Sequence, residues 1–303
     1  LVPKPDAAMS FPAEGSVRGR RRAARPWVII LVGLLVIPAA TSQPRQVDAT
    51  RHWVLERLHA SLASPLQLDE IASMLFGLVD STEAAEQPDT RRALDELAGR
   101  IQSLDPAELG CDDVVNLYVI VGFLNMSGRK LDSAALTERV KNCLEEVNAF
   151  DRASALFSLC FFDSPVPRER LTRAMESIEA LQLPDGSFGS GYGMNHFYTS
   201  THAVFALQAC HGNPLAIELG QDYLSNTLPW LQQAGFIDGL LESLLMLKKM
   251  GVEIPQETRY VAYIRSRIRP DGSICCFDRP GCPPNRHAAS LLLEFLRTFP
   301  ARQ

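Results

Sequence analysis

The sequence predicts an all-α protein, an (α/α)6 toroid of twelve helices in two concentric layers, and three observations predict it. Apolar residues recur with helical period through a run of segments separated by short Gly, Pro and Asp breaks. Amphipathic segments alternate with segments that are apolar nearly all round. A six-residue motif returns after two such pairs, LPDGSF at 183–188 and RPDGSI at 269–274.

The predicted helices span 48–63, 67–80, 89–103, 111–126, 132–148, 150–162, 167–182, 199–211, 215–229, 235–250, 255–269 and 285–299, with ends placed to about two to four residues. DTRRALDELAGRIQSL, DSAALTERVKNCLEEVN, PRERLTRAMESIEALQ and PQETRYVAYIRSRIR each carry one charged face for water. The segments that follow them, VVNLYVIVGFL, ASALFSLCFF, THAVFALQAC and AASLLLEFL, have no such face. A helix apolar on every side is buried on every side, so the second set forms an inner layer and the first an outer one. The expected inner helices are 67–80, 111–126, 150–162, 199–211, 235–250 and 285–299, parallel, with their N-termini at one rim. Asp69, Asp112, Asp151, Asp238 and Asn285 are read as their N-caps, and Pro167 and Pro255 mark outer-helix starts. The repeated aspartates, Asp185 and Asp271, stand 86 residues apart, which is two helix pairs of about 43 residues. Each Asp-Gly makes a tight turn in which Gly takes the positive φ.

Two regions organise the chain: 1–42 as an N-terminal basic region with a signal peptide or signal anchor, and 43–303 as a single domain. Arg18, Arg20, Arg21, Arg22 and Arg25 precede the charge-free run WVIILVGLLVIPAA at 27–40, a basic region followed by an apolar one. That run is shorter than the roughly 20 residues that span a bilayer comfortably, which favours cleavage over retention. The mature part is thus expected outside the cytoplasm, periplasmic, extracellular or anchored, with membrane contact only through this segment. A net charge of −5, with most basic clustering before residue 26, gives no reason to expect nucleic acid. Hydrophobic residues at 46% and charged ones at 21% describe an ordinary globular chain.

The repeat resembles that of the prenyltransferase and squalene-cyclase superfamily: an outer helix with Gln, a DG-containing turn, an aromatic, then an apolar inner helix. Gln182, Asp185, Gly186, Phe188 and YTSTHAVFAL at 198–207 carry the resemblance, with a second copy from Asp271 to Leu293. It covers roughly residues 165–300 and implies the toroid fold. The superfamily's members have different jobs, so the resemblance selects none. The cyclase Asp-x-Asp-Asp motif is absent, since Gly110-Cys111-Asp112-Asp113 lacks the first aspartate, and so is the thioester Cys-Gly-Glu-Gln.

Candidate site residues follow from the rim. His202-Ala203 and His287-Ala288 occupy matching first-turn positions in the two copies, and Tyr198 lies beside the first. Asn116 and Glu242 each fall four residues after an expected capping Asp, which points them to the same face. The loop with Cys275, Cys276 and Cys282 should lie at the same mouth. In an oxidising compartment Cys282 is expected to bridge Cys275 or Cys276. Zinc at Cys276, Cys282 and His287, which protein prenyltransferases imply through their Asp, Cys and His ligands, is the rival; no cofactor is otherwise expected. The functional expectation is non-catalytic binding of an apolar small molecule, peptide or partner protein at the inner-helix rim. The alternative is a prenyltransferase- or terpene cyclase-like enzyme, zinc-dependent or not, acting on an isoprenoid or peptide.

Overall fold

A stripe of apolar residues at spacing three and four turns Pro88–Ile101 into a helix buried along one side only. Ala93, Leu94, Leu97, Ala98 and Ile101 face inward, while Arg91, Arg92, Asp95 and Glu96 stay exposed. By contrast every residue from Ile237 to Leu247 is buried, as is every residue from Ala288 to Leu296. The computed structural model describes residues 42–63, 65–79, 87–162, 166–189 and 193–300; the apolar run 27–40 lies outside them. Twelve α-helices follow in order: α1 Ser42–Leu62, α2 Leu68–Val79, α3 Pro88–Ile101, α4 Cys111–Met126, α5 Ala134–Cys143, α6 Ala149–Phe161, α7 Arg168–Glu179, α8 Met194–Ala209, α9 Pro214–Gln233, α10 Ile237–Lys249, α11 Glu257–Arg265 and α12 Arg286–Thr298. The described residues contain no strand, only three isolated bridges. The protein is therefore all-α. No helix of the described residues is long and apolar enough to cross a membrane.

Even-numbered helices pack in succession, α2 on α4, α4 on α6, α6 on α8, α8 on α10 and α10 on α12, and α12 packs on α2. Odd-numbered helices lie against even ones, α1 against both α12 and α2, and α1 also packs on α3. One apolar core runs through all of them, from Trp53 in α1 to Phe295 in α12.

The two PDGS turns share their bonding. Leu183 N–H donates to the Ser187 carbonyl (2.8 Å) and Arg269 N–H to that of Ser273 (3.0 Å). The Asp185 carboxylate accepts from the Ser187 N–H (3.1 Å) and hydroxyl (2.6 Å), and Asp271 does the same for Ser273 (3.0 and 2.8 Å). Gly186 and Gly272 both take positive φ, +86° and +82°.

Four of the five expected caps are displaced. Only Asn285 caps, accepting from Ala288 N–H at 2.8 Å. Asp69, Asp112, Asp151 and Asp238 sit inside the first turns, where they face the positive end of the helix dipole without closing it. For α6 the cap is Asn148; for α10 it is the Cys276 carbonyl, which accepts from Ile237 and Asp238 N–H (2.9 and 3.2 Å). That leaves the Asp238 side chain available for other partners.

Cysteine pairing departs from expectation. Bridges join Cys111 to Cys143 and Cys160 to Cys210, tying α4 to α5 and α6 to the end of α8. Cys275, Cys276 and Cys282 remain thiols, so the expected Cys282 bridge is not formed. Its loop is closed by polar contacts instead: Cys275 Sγ donates to the Cys282 carbonyl (2.9 Å). Arg269 Nη2 reaches that carbonyl (2.6 Å) and Cys275 Sγ (2.9 Å). Mass spectrometry of the unreduced protein should find two bridges and these three thiols. Cys160→Ser with Cys210→Ser should lower the unfolding free energy by about 3 kcal/mol in denaturant titration. An unchanged midpoint would mean the bridge constrains nothing.

Candidate functional site

The start of α10 is tied to the cysteine loop. Besides the Cys276 carbonyl cap, Asp278 N–H donates to the Gly235 carbonyl (2.7 Å), and Phe236 stacks on Phe277 with ring centroids 4.9 Å apart. This fixes Asp238 and Glu242, four residues apart on one face of a helix buried from Ile237 to Leu247. Both carboxylates are almost wholly buried. The Asp238 carboxylate receives the Tyr198 hydroxyl and lies 3.0 and 3.1 Å from His287 Nδ1. Glu242 Oε1 lies 3.5 Å from His202 Nε2. His202 Nδ1 is 2.7 Å from Ser154 Oγ, and the Phe150 ring covers the imidazole at 4.4 Å. The two imidazoles are part-open, with 34% of the His287 side chain and 27% of the His202 side chain exposed.

Four of the five rim candidates, Tyr198, His202, Glu242 and His287, thus meet on α8, α10 and α12. Asn116 does not join them: its amide donates to the Asp112 carbonyl of its own helix at 3.0 Å. His202 also lies two turns deeper than expected. Gly193, at φ +90°, starts α8 at Met194, so His202 falls in the third turn while His287 is in the first. Cys276 approaches the cluster, but Cys282 turns away, its Sγ toward the Pro283 carbonyl. Among the described residues no group of three or more His, Cys, Asp or Glu side chains is disposed to hold a metal. Ser154, Phe150 and the bonds of Asp238 to His287 and Tyr198 are not legible in the sequence. The Asp-x3-Glu spacing in IDGLLESLLML was the signal that held the last of these.

Burial and mutual charge divide the roles. Burial pushes the Glu242 carboxyl up to about 7 despite the His287 charge. Burial, and then the His287 charge, press His202 down to about 3. Burial would lower His287 too, but the Asp238 charge and bond, with Glu242, raise it to about 9. Asp238 is held below the usual carboxylate range, the His287 and Tyr198 contacts outweighing its burial. Burial, then the Asp238 charge, raise the Cys276 thiol to about 12. The cluster is therefore one ion pair, one neutral imidazole and one carboxyl poised near neutrality.

A pH profile follows. The raised His287 stabilises the fold below about 6.5, and that contribution is lost as pH rises through about 9. The raised Glu242 acts against the fold once its unfolded form ionises, from about 4.5 up to about 7. The depressed His202 removes stability as pH falls from about 6.5 to about 3. The last two cancel between pH 4.5 and 6.5, and Asp238 is lost only below its unfolded 3.8. Stability should be flat across pH 4.5–6.5 and fall on either side. Allowing for solvent at the part-open His287, the loss from pH 6.5 to 9 is on the order of 2 kcal/mol, or roughly 4–8 °C in Tm. Thermal melts would check it; a level Tm from 6.5 to 9, or the same fall in His287→Gln, contradicts the assignment.

A recess of about 240 Å³ is lined by Lys141, Arg152, Arg170 and Arg173 among others, and by none of these cluster residues. Two of its four cations already have work: Lys141 pairs with Glu138 (2.6 Å), and Arg152 donates to the Leu144 and Val147 carbonyls (2.8 and 3.2 Å).

Compared with known proteins, the chain is matched by no family model and by no curated protein sequence.

Proposed function

We propose that this chain is an exported or membrane-tethered (α/α)6 toroid that binds an apolar ligand with a polar head, or a peptide, at the N-terminal mouth of its inner helices. The toroid reading draws on the succession of even-numbered contacts that returns from α12 to α2. It also draws on the turns: a Cβ on Gly186 would meet the Leu219 carbonyl of α9, and one on Gly272 the Ala49–Thr50 backbone of α1. In each copy the turn sits on the next outer helix, so α1 stands to α11 as α9 stands to α7. The two disulfides suit an oxidising compartment, in keeping with the basic and apolar N-terminal segment.

The binding reading is carried by one observation: buried carboxylates and part-open imidazoles from three helices converge with aromatic rings at one place. Convergent polar groups among apolar walls are the hallmark of a ligand site, and strongly shifted ionisations gather at such sites. Thermal-shift measurements with apolar amines, acids, alcohols and isoprenoids test it. A ligand at a hundred times its Kd raises stability by about 2.7 kcal/mol, and His202→Ala should abolish that rise. No shift from any class at millimolar concentration defeats the reading.

A second reading, an acid–base enzyme of the kind the superfamily resemblance implies, is favoured by Glu242, whose carboxyl near neutrality suits proton transfer. Turnover of an isoprenoid or peptide that is lost in Glu242→Gln would establish it.

A further inference from the structure

We propose that the recess lined by Lys141, Arg152, Arg170 and Arg173 binds a phosphate monoester; none of the His287 cluster lines it, so it stands apart from the binding reading above. One side comes from α7, where Arg170, Arg173 and Ser177 fall at i, i+3 and i+7 on a single face. The other side comes from Lys141 near the end of α5, Glu145 just after it, and Arg152 in the first turn of α6. Arg152 is held in place: its guanidinium donates to the Leu144 and Val147 carbonyls (2.8 and 3.2 Å) and more loosely to Ser177 Oγ (3.4 Å). These acceptors are neutral, so they orient the side chain and leave its charge unmatched.

The positive charge exceeds what the protein supplies to balance it. Glu145 alone among the lining residues is acidic. Among the described residues the ion pairs here are Lys141 with Glu138 (2.6 Å) and Arg173 with Glu169 (3.9 Å), and neither takes in Arg152 or Arg170. Glu138 and Glu169 stand outside the lining with 68% and 83% of their side chains exposed, and pairs with such solvated acids are weak. The Lys141 side chain is only 7% exposed, and a buried ammonium is costly unless anions surround it. Lys141, and to a lesser degree Arg170, hold the Glu138 carboxyl below its ordinary range, so cations of α5 and α7 act on one place. Three guanidiniums and an ammonium offer more donors than a carboxylate can accept, since a single fork satisfies it; a phosphoryl dianion has the oxygens and the charge to engage several. A volume of about 240 Å³ is below the roughly 300–1,000 Å³ of drug-sized pockets, which keeps the organic part of the ester small.

Calorimetry with phenyl phosphate, phenyl sulfate and benzoate at pH 7.5 tests this on the wild-type chain. The expected result is one site per chain, with phenyl phosphate about tenfold tighter than either monoanion, because the phosphate carries nearly two charges at that pH. Arg170→Ala/Arg173→Ala, at two exposed side chains, should weaken phenyl phosphate by about tenfold or more. Arg170→Lys/Arg173→Lys keeps the charge and loses the forks, so it should fall between, and it keeps the test decisive if the alanine pair does not fold. Arg91→Ala/Arg92→Ala, equally exposed on α3 and off the recess, should change nothing. Phosphatidylcholine vesicles with and without phosphatidate separate the sources. Binding of phenyl phosphate without vesicle retention identifies a soluble ester, and retention on phosphatidate that phenyl phosphate displaces identifies a lipid one; either supports the site. Failure of both phenyl phosphate and phosphatidate to bind, or equal affinity for phenyl sulfate, overturns it. An equal loss in Arg91→Ala/Arg92→Ala also overturns it, by showing attraction to surface charge in general. The binding reading at the His287 cluster is untouched by any of these results.

Discussion

Asp238→Ala is expected to lower the unfolding free energy by about 3–5 kcal/mol and to bring His287 down from about 9 into the ordinary imidazole range. Asp238 is buried and holds two partners at once, His287 Nδ1 and the Tyr198 hydroxyl. Removing it strands an imidazolium beside Glu242 and a phenol without an acceptor, and breaking a buried pair from one side is worse than never having it. The double variant Asp238→Ala/His287→Ala should recover much of the loss, because no stranded charge remains. Denaturant titration of the two singles and the double gives the coupling, and NMR titration follows the imidazole. A cost below 1 kcal/mol for the single, or a His287 pKa that stays near 9, would show that Asp238 does not hold the site together. The Glu242 carboxyl should also respond, since it loses a neighbouring negative charge and gains a less compensated His287; both changes lower it.

Much of this site could be read in the sequence, and the reasons for the rest are physical. Helical period and alternation of character located twelve helices, and α4 has the expected ends at 111 and 126. Ends shifted where tertiary contacts decide them. α5 stops at Cys143, at its bridge to Cys111, and α11 stops at Arg265 so that the chain can enter the second PDGS turn. Asp238 illustrates the ambiguity of a first-turn aspartate: helix-start statistics make it a cap, but the Cys276 carbonyl takes that position from 38 residues away in sequence. What marked its role was Glu242 four residues on, in a helix with no exposed face to carry two acids. The disulfides were not legible, because Cys160 and Cys210 meet only through the packing of α6 on α8. The crowded cysteine loop looked the better pair, and its hydrogen bonds, with Arg269, left the thiols unjoined. His202 lies two turns deeper than its match in the second copy suggests, because the connection before α8 sets its own start at Gly193.

Gly272→Ala is expected to cost roughly 3–5 kcal/mol, and Gly186→Ala as much. Each residue has positive φ, where an L side chain is disfavoured. The larger part comes from the neighbour: the new Cβ would stand 2.3 Å from the Ala49 carbonyl carbon and the Thr50 nitrogen in one case, and 2.0 Å from the Leu219 carbonyl oxygen in the other. These are main-chain atoms of α1 and α9, so relief requires a helix to move rather than a side chain to turn. Gly251→Ala is the control, with φ +73° and open space around the Cβ; it should show the backbone part alone, about 1–2 kcal/mol. Gly272 is the informative position because it lies late in the chain and presses on the first described helix. If the proposed ring is closed there, Gly272→Ala should also loosen α1, and hydrogen exchange should quicken at Trp53–Leu58 of α1 but not at Ala153–Leu156 of α6, which does not pack on α1. A Gly272→Ala cost no greater than that of Gly251→Ala would mean that α1 does not sit on the turn, and the ring would lose its closing contact.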